Sequence, residues 1–329
     1  MLGKERGKIV FGLSLLLSIS ILTLSVQDSF AQKYPTKSIK IIAGTTPGGA
    51  DDLATRTWTD EFSKAMGVPV VVFNHPGGGG SVGAAEAAKA DPDGYTLLGA
   101  SSGAMGFNTA MNPKLPYDTL RDFVPIGCFA TAATLIIVNS NSPFKTIEEL
   151  LDYARKNPGK LNCGSAGVGV ISYFNYELFK YYAKVDISHV PFQGSPPAVT
   201  ALLGNHVDLI CLALGPVSGH IKAGRLRGLV TTVKIKEFPD IPLFSEKGLA
   251  EAGLVSWWAF FAPAKIPKEV HTKLAATFEK VAKDPAVTKK LENIGYNPYY
   301  LDPAAFDRLL RTDLKKMAEM VKTIGIKPD

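Results

Sequence analysis

Residues 39–66 read IKIIAGTTPGGADDLATRTWTDEFSKAM, and this stretch decides the fold class. Ile39 to Ala43 form a short apolar run of strand character. A junction of Gly, Thr and Pro follows, and the residues from Asp52 to Met66 are amphipathic with helical period. Strand, glycine-rich turn and helix together make one βα unit. Asp51-Asp52 reads as an acidic N-cap on the helix that starts near Leu53.

The same unit recurs along the chain. The pattern predicts strands at 39–43, 69–73, 95–99, 134–138, 187–192, 207–213, 226–231 and 257–262. Helices are predicted at 52–66, 83–90, 146–156, 172–182, 197–204 and 216–223. Thr146-Ile147-Glu148-Glu149 is a capping box, and Gly67 and Gly204 stand where C-terminal caps belong. Such alternation implies an α/β fold of mostly parallel sheet flanked by helices, and the length suits two sheets better than one. After Pro267 the pattern turns wholly helical, with Val270, Leu274, Phe278 and Val281 on one face and Phe306, Leu309, Leu310, Leu314, Met317 and Val321 on another.

Composition excludes several classes. With 329 residues, 46% hydrophobic and 20% charged, the chain is neither a disordered tail nor a collagen-like rod. The formal charge of +6 is spread without a basic block, which speaks against nucleic acid and leaves a general preference for anions. Cys128, Cys163 and Cys211 are too few and too scattered for a disulfide framework or a zinc site, and read as buried free thiols. At the start, Lys4, Arg6 and Lys8 precede an apolar stretch from Ile9 to Val26, and Ser29-Phe30-Ala31 offers small residues to a signal peptidase. Residues 1–31 are therefore expected to be a signal peptide cleaved after Ala31, and the remainder exported and soluble.

In open α/β sheets, ligands sit at the carboxyl ends of strands. The junctions there read TTPGGADD (45–52), NHPGGGGSVG (74–83), ASSGAMG (100–106), CGSAGVGVIS (163–172), QGSPP (193–197) and ALGPVSG (213–219). Gly, Ser and Thr recur in them, and Lys, Arg and Glu are absent. Turns alone favour Gly and Ser, but several such loops converging on one cleft make an anion cradle of main-chain N–H groups, hydroxyls and helix N-termini. Two motifs compete with this reading. Gly78 to Gly83 matches GxGxxG, yet the next strand ends in Gly99-Ala100-Ser101-Ser102 and lacks the acid that a dinucleotide ribose needs. Gly79-Gly80-Ser81-Val82-Gly83 also matches GxSxG, with His189, His206, His220 and His271 following, so a secreted serine hydrolase using Ser81 is the alternative. The loop before Ser81 is slack for a nucleophile elbow.

The blocks KYPTKSIKIIAGTTPGGADDLATR, NHPGGGGSVGAAEAAKADPDGYTLL, LPYDTLRDFVPI, LNCGSAGVGV, VPFQGSPPAVTALLGNHVDL, HIKAGRLRGLV and GIKPD, in order from Tyr34 to Asp329, resemble the substrate-binding proteins of tripartite tricarboxylate transporters, the Bug receptors. The resemblance implies a periplasmic two-lobed clamshell of type II-like build. It also implies a monomer that carries a small organic carboxylate to a permease of two integral membrane subunits, with no cofactor and no catalysis. A sensory role would use the same fold. Lobe 1 would comprise 32–138 plus 256–329 and lobe 2 139–255, hinged near Val138-Asn139 and Ser256-Trp257.

Carried over position by position, the resemblance nominates Thr46, Gly48, Gly80, Ser81, Ser101, Ser102, Ser165, Gly169 and Ser172 as ligand-binding. The chain departs from relatives at Thr45, Val170, Ile171 and Leu212, which are therefore read as specificity positions. Relatives often hold a ligand ammonium through an Asp at the place of Leu212, and its loss argues against amino-acid ligands. Trp257 and Trp258 at the hinge are candidates for packing against a hydrocarbon or aromatic ligand body, or for the core.

Overall fold

The computed structural model describes residues 34–326, so the expected signal peptide lies outside the described residues. Residues 37–326 belong to one compact unit, and of the unit that precedes it only residues 34–36 are described. No helix among the described residues is long and apolar enough to cross a membrane. The strands are β1 (Ile39–Ala43), β2 (Val70–Asn74), β3 (Thr96–Ser101), β4 (Phe123–Ala132), β5 (Thr134–Asn139), β6 (Asn162–Ser165), β7 (Ser188–Pro191), β8 (Leu209–Ala213), β9 (Leu226–Thr231), β10 (Ser256–Pro263) and β11 (Asn297–Leu301). The helices are α1 (Ala50–Met66), α2 (Ser81–Ala88), α3 (Asn108–Met111), α4 (Thr119–Asp122), α5 (Ile147–Lys156), α6 (Ile171–Ala183), α7 (Ser195–Leu203), α8 (Ser218–Lys222), α9 (Lys268–Ala282), α10 (Pro285–Asn293) and α11 (Pro303–Ile324).

The strands form two sheets, in the orders β11-β4-β10-β3-β1-β2 and β7-β6-β8-β5-β9. Both are mixed rather than mostly parallel. In the first, β1 is parallel to β2 and β3 while β10 is antiparallel to β3 and β4; in the second, β6 is parallel to β7 and β8 while β5 is antiparallel to β8 and β9. Connectivity explains the mixture. Strands β1, β3, β6 and β8 run toward the gap between the sheets, whereas β5 and β10 start at that gap, having just crossed it, and must run away.

Sheet membership also moves a boundary. Strand β5 pairs wholly within the second sheet, so the first crossing lies at Ala133, ahead of the expected Val138-Asn139. The second lies just before Ser256, which pairs with Ala132. A buried polar network joins the two crossings. Asn175 of α6 donates to Thr134 Oγ1 (3.0 Å) and the Leu254 carbonyl (3.1 Å) and accepts from Leu254 N–H (2.6 Å), and Thr134 Oγ1 lies 3.5 Å from Ser256 Oγ.

Each half has its own core. Strand β10 alternates: Trp257, Ala259 and Phe261 face α2 and α11 with Phe306 and Leu310, while Phe260 on the opposite face meets Trp58, Phe62, Phe129 and Phe278. In the second half, Leu135, Ile137 and Ile210 pack under Ala198 and Leu202 of α7, and Ile136, Val138 and Cys211 pack under α5 and α6. The latter cluster also takes in Phe107, Met111, Met317 and Val321, so α3 and α11 lean on the second half. Cys128, Cys163 and Cys211 are free and buried.

Several local expectations change. The tail is not wholly helical: Asn297–Leu301 forms β11 on the edge of the first sheet, where Pro298 costs no ladder donor and half-exposed tyrosines leave no apolar run. Strand β4 escapes sequence reading because Pro125 and Gly127 interrupt it; two register shifts against β10 accommodate them. At α5, Thr146 accepts from Glu149 N–H as expected, but the Glu149 carboxylate reaches Lys145 N–H rather than that of Thr146. Gly67 and Gly204 are both C-caps as expected, Gly67 in the left-handed conformation (φ +74°) and Gly204 not, the left-handed residue after α7 being Asn205.

Candidate functional site

The carboxyl ends of β1, β3, β6 and β8 meet across the gap between the two halves. The 45–49 loop is fixed first. Asp52, 3% exposed, accepts from Gly48 N–H (2.9 Å), Asn74 Nδ2 (2.8 Å) and Arg56 Nε (2.7 Å), and Asp52 N–H donates to Thr45 Oγ1 (3.2 Å). Asn74 also donates to the Thr45 carbonyl, tying this loop to the next. There Gly77, Gly78, Gly79 and Gly80 all have positive φ, a run that L side chains rarely adopt. Gly44 packs so closely on Gly80 that a Cβ would lie 2.8 Å from the Gly80 Cα.

From the other half comes the 165–172 loop, held by its own hydroxyls. Ser165 Oγ lies 2.7 Å from His189 Nε2 and accepts from Gly167 N–H, while Ser172 Oγ accepts from Ala166 N–H. The two halves touch. A Cβ on Gly79 would lie 2.5 Å from the Gly169 carbonyl carbon, and Asn108, which donates to the Gly78 carbonyl (2.6 Å), stands against Gly169.

Two adjoining cavities lie in this cleft. The outer, about 320 Å³, is walled by Thr45, Thr46, Gly77–Gly80, Ala166–Val168, Val170 and Phe192–Gly194. The inner, about 30 Å³, is walled by Thr45, Asp51, Ser101, Val170, Ile171, Ser172, Ser195, Leu212 and Trp258, among others. Neither wall contains Lys, Arg or His. Instead, three helices present their N-termini. The caps of α2, α6 and α7 are Gly80, Val170 and Gly194; each lines a cavity, and none has a capping side-chain hydrogen bond. Thr46 Oγ1 is buried with no hydrogen-bond partner and faces Gly194.

Of the residues nominated from sequence, Thr45, Thr46, Gly80 and Val170 line the outer cavity, and Thr45, Ser101, Val170, Ile171, Ser172 and Leu212 the inner one. Gly48, Ser81, Ser102, Ser165 and Gly169 line neither. The Gly48 N–H is taken by Asp52, Ser102 Oγ accepts from Trp257 N–H (3.4 Å), and Ser165 is held by His189. Ser81 opens α2 with its hydroxyl over Gly78, and three histidines are engaged elsewhere: His75 with Glu86, His189 with Ser165 and His271 with the Pro125 carbonyl.

Asp51 corrects the sequence reading. It is no N-cap: Gly49 holds that position, and Asp51, 3% exposed, turns into the inner cavity. Its Oδ1 accepts from Trp258 Nε1 (2.8 Å). Burial pushes its carboxyl up to about 6, against the opposing hydrogen bonds from Trp258 and Ser101. Trp257 belongs to the core, donating to Asp313 and packing edge-on against Phe306. Residues 77–79 and 193–194 also line the cleft; the PGGGG and QGSPP junctions were their signal.

The model of the tripartite tricarboxylate transporter family receptor matches residues 54–326. The chain belongs to this family. It is 31% identical over 313 residues to a UPF0065 protein of Bordetella pertussis, covering 93% of this chain and 95% of that one. Among solved structures it resembles a periplasmic transporter (37% identity, TM-score 0.87) and R. palustris Rpa4515 with adipate (28%, 0.86), each match covering 90% of this chain and all of that one. It also resembles MatC of Rhodopseudomonas palustris with bound malate (27%, 0.82; 88% of this chain and all of that one). These likenesses identify a two-lobed periplasmic solute-binding protein of the receptor family.

Proposed function

We propose that this receptor captures a small organic carboxylate in the cleft and delivers it to a two-subunit membrane permease, acting as a monomer without catalysis or a cofactor. Exposure to the periplasm would follow removal of residues 1–31. The observation that carries the reading is the convergence of three helix N-termini, uncapped by side chains, on cavities lacking any cationic side chain. An anion there lies at the positive ends of the helix dipoles, with the first-turn N–H groups of α6 and the Ser195 N–H of α7 as donors; Pro196 and Pro197 offer none, and at α2 the Ser81 and Val82 N–H groups already donate to the Gly78 and Gly77 carbonyls. The adipate and malate held by its structural neighbours are small carboxylates of this kind.

The magnitudes are compatible. Removing a carboxylate from water costs several kcal/mol, and each hydrogen bond to a charged group returns about 1.5–3, so three or four balance it. Burial of the ligand's carbon chain at about 25 cal/mol per Å² then supplies the net affinity. Lobe closure completes the wall, so the ligand selects the closed state through its contacts to both halves. A thermal-shift screen against mono-, di- and tricarboxylates, aromatic acids and amino acids tests the reading. Saturable stabilisation by carboxylates is expected; none from any of them would refute it.

A further inference from the structure

The inner cavity, about 30 Å³, exceeds the roughly 10–15 Å³ that one water needs but is too small for a carbon chain, so it takes a small polar group. The outer cavity, some ten times larger, takes the ligand's carboxylate and carbon chain. What faces the inner group is a buried acid. Asp51 receives hydrogen bonds from the Trp258 indole and Ser101, both neutral, and the wall offers no cation. Arg56, the base on the same helix, is engaged by Asp52 and Asn74. Asp52, also on this helix, pushes the Asp51 carboxyl further up, and Tyr296, packed edge-on against Trp258, donates its hydroxyl to the Ala50 carbonyl. Burial pushes that phenol well above its ordinary value, so it stays neutral.

Resting on the reading that the cleft takes a carboxylate, we propose that the inner cavity is an ammonium subsite in which Asp51 pairs with a protonated amine, making the preferred ligand an amino-substituted carboxylate. A second ligand carboxylate here would add like charge to Asp51, and a hydroxyl would leave that charge uncompensated; an ammonium group cancels it. Hydroxyls of Thr45, Ser101 and Ser195 on the same wall can accept its remaining donors. Leu212 lies on this wall too. Its apolar side chain does not disfavour amino-acid ligands, because the carboxylate comes from the opposite half.

Calorimetric titration of the protein and its Asp51→Asn variant with skeleton-matched sets tests the assignment. The sets are adipate, 2-hydroxyadipate and 2-aminoadipate; succinate, malate and aspartate; and 3-phenylpropionate, phenyllactate and phenylalanine. At pH 8 the amine of the binding set should bind at least tenfold more tightly than its partners. Asp51→Asn should abolish that preference. In the unaltered protein, lowering the pH to 5 should weaken the amine about tenfold while its ammonium stays charged, a readout that survives misfolding of the variant. An unsubstituted or hydroxy acid that binds as tightly as the amine overturns the assignment, as does amine affinity indifferent to both Asp51→Asn and pH, and the receptor reading then stands. If no carboxylate of any set binds, the receptor reading falls and the assignment with it.

Discussion

Gly79→Ala should hold the cleft open. A Cβ at this position would stand 2.5, 2.7 and 2.8 Å from the carbonyl carbon, Cα and carbonyl oxygen of Gly169 in the opposite half. Ordinary carbon contacts are about 3.5–4 Å, so the closed gap must widen by about 1 Å. Backbone atoms cannot rotate away, and overpacking of this kind costs about 1–3 kcal/mol. Alanine at φ +65° adds about 1–2 kcal/mol of left-handed strain, in the open and closed states alike. Gly67→Ala isolates that strain, because Gly67 has φ +74° and nothing within 4 Å of its Cβ position. Denaturant titration should show both variants losing about 1 kcal/mol or somewhat more. Calorimetry with the carboxylate that stabilises the protein most should show Gly67→Ala unchanged and Gly79→Ala weakened about 5- to 150-fold. Equal affinity in the two variants would refute the closed contact and the role of closure with it.

Asp51→Asn should change the pH dependence of stability. The folded protein holds a proton on Asp51 up to about pH 6, which the unfolded chain releases near its ordinary 3.8. Stability contributed by this group is therefore full below about pH 4 and falls as pH rises through about 6, by up to about 3 kcal/mol. Denaturation at several pH values should show the variant gaining on the parent across this window; parallel curves would contradict it. Asp52→Ala should cost about 2–3 kcal/mol, because Gly48 N–H, Asn74 and Arg56 lose a common acceptor. It should also weaken ligand at least tenfold by freeing the 45–49 loop, as fluorescence titration would show; Arg56 is half exposed, so the ion pair itself adds little. Asn175→Ala should destabilise by about 2–4 kcal/mol, because it strands both polar groups of Leu254 and leaves Thr134 Oγ1 only its 3.5 Å contact with Ser256 Oγ; a loss within error of zero would remove the network from the crossings.

The architecture was legible where burial dictated composition. Strands β1, β5 and β8 are apolar runs because each is covered on both faces. Strands β4, β6 and β11 were not. Pro125 and Gly127 break the first, the second is the four residues NCGS, and the third lies half in solvent. The direction of β5 and β10 depends on where the chain crosses between halves, which no local pattern records.

At the site, glycine-rich junctions showed where the cleft would be, because close backbone approach leaves a compositional trace. The division of labour within them left none. Ser102, Ser165 and Ser172 look like ligand donors, yet their hydroxyls also fix backbone groups of the protein itself. Asp51 and Asp52 are adjacent first-turn acids with opposite duties: one anchors a loop, the other faces a cavity. Partners distant in the chain distinguish them, Trp258 lying 207 residues beyond Asp51 and Asn74 22 beyond Asp52.

The central claim is that a carboxylate is held between two hinged halves by main-chain N–H groups and hydroxyls alone. A crystal structure of the liganded protein at neutral pH tests it most directly. Carboxylate oxygens are expected about 3 Å from amide nitrogens at the start of α6, from the Ser195 N–H that opens α7 or from the glycine turn ahead of α2, and from Thr46 Oγ1, with no Lys or Arg nitrogen within hydrogen-bond reach. A lysine or arginine closing on the ligand's carboxylate, or a ligand seated outside the cleft, would contradict it.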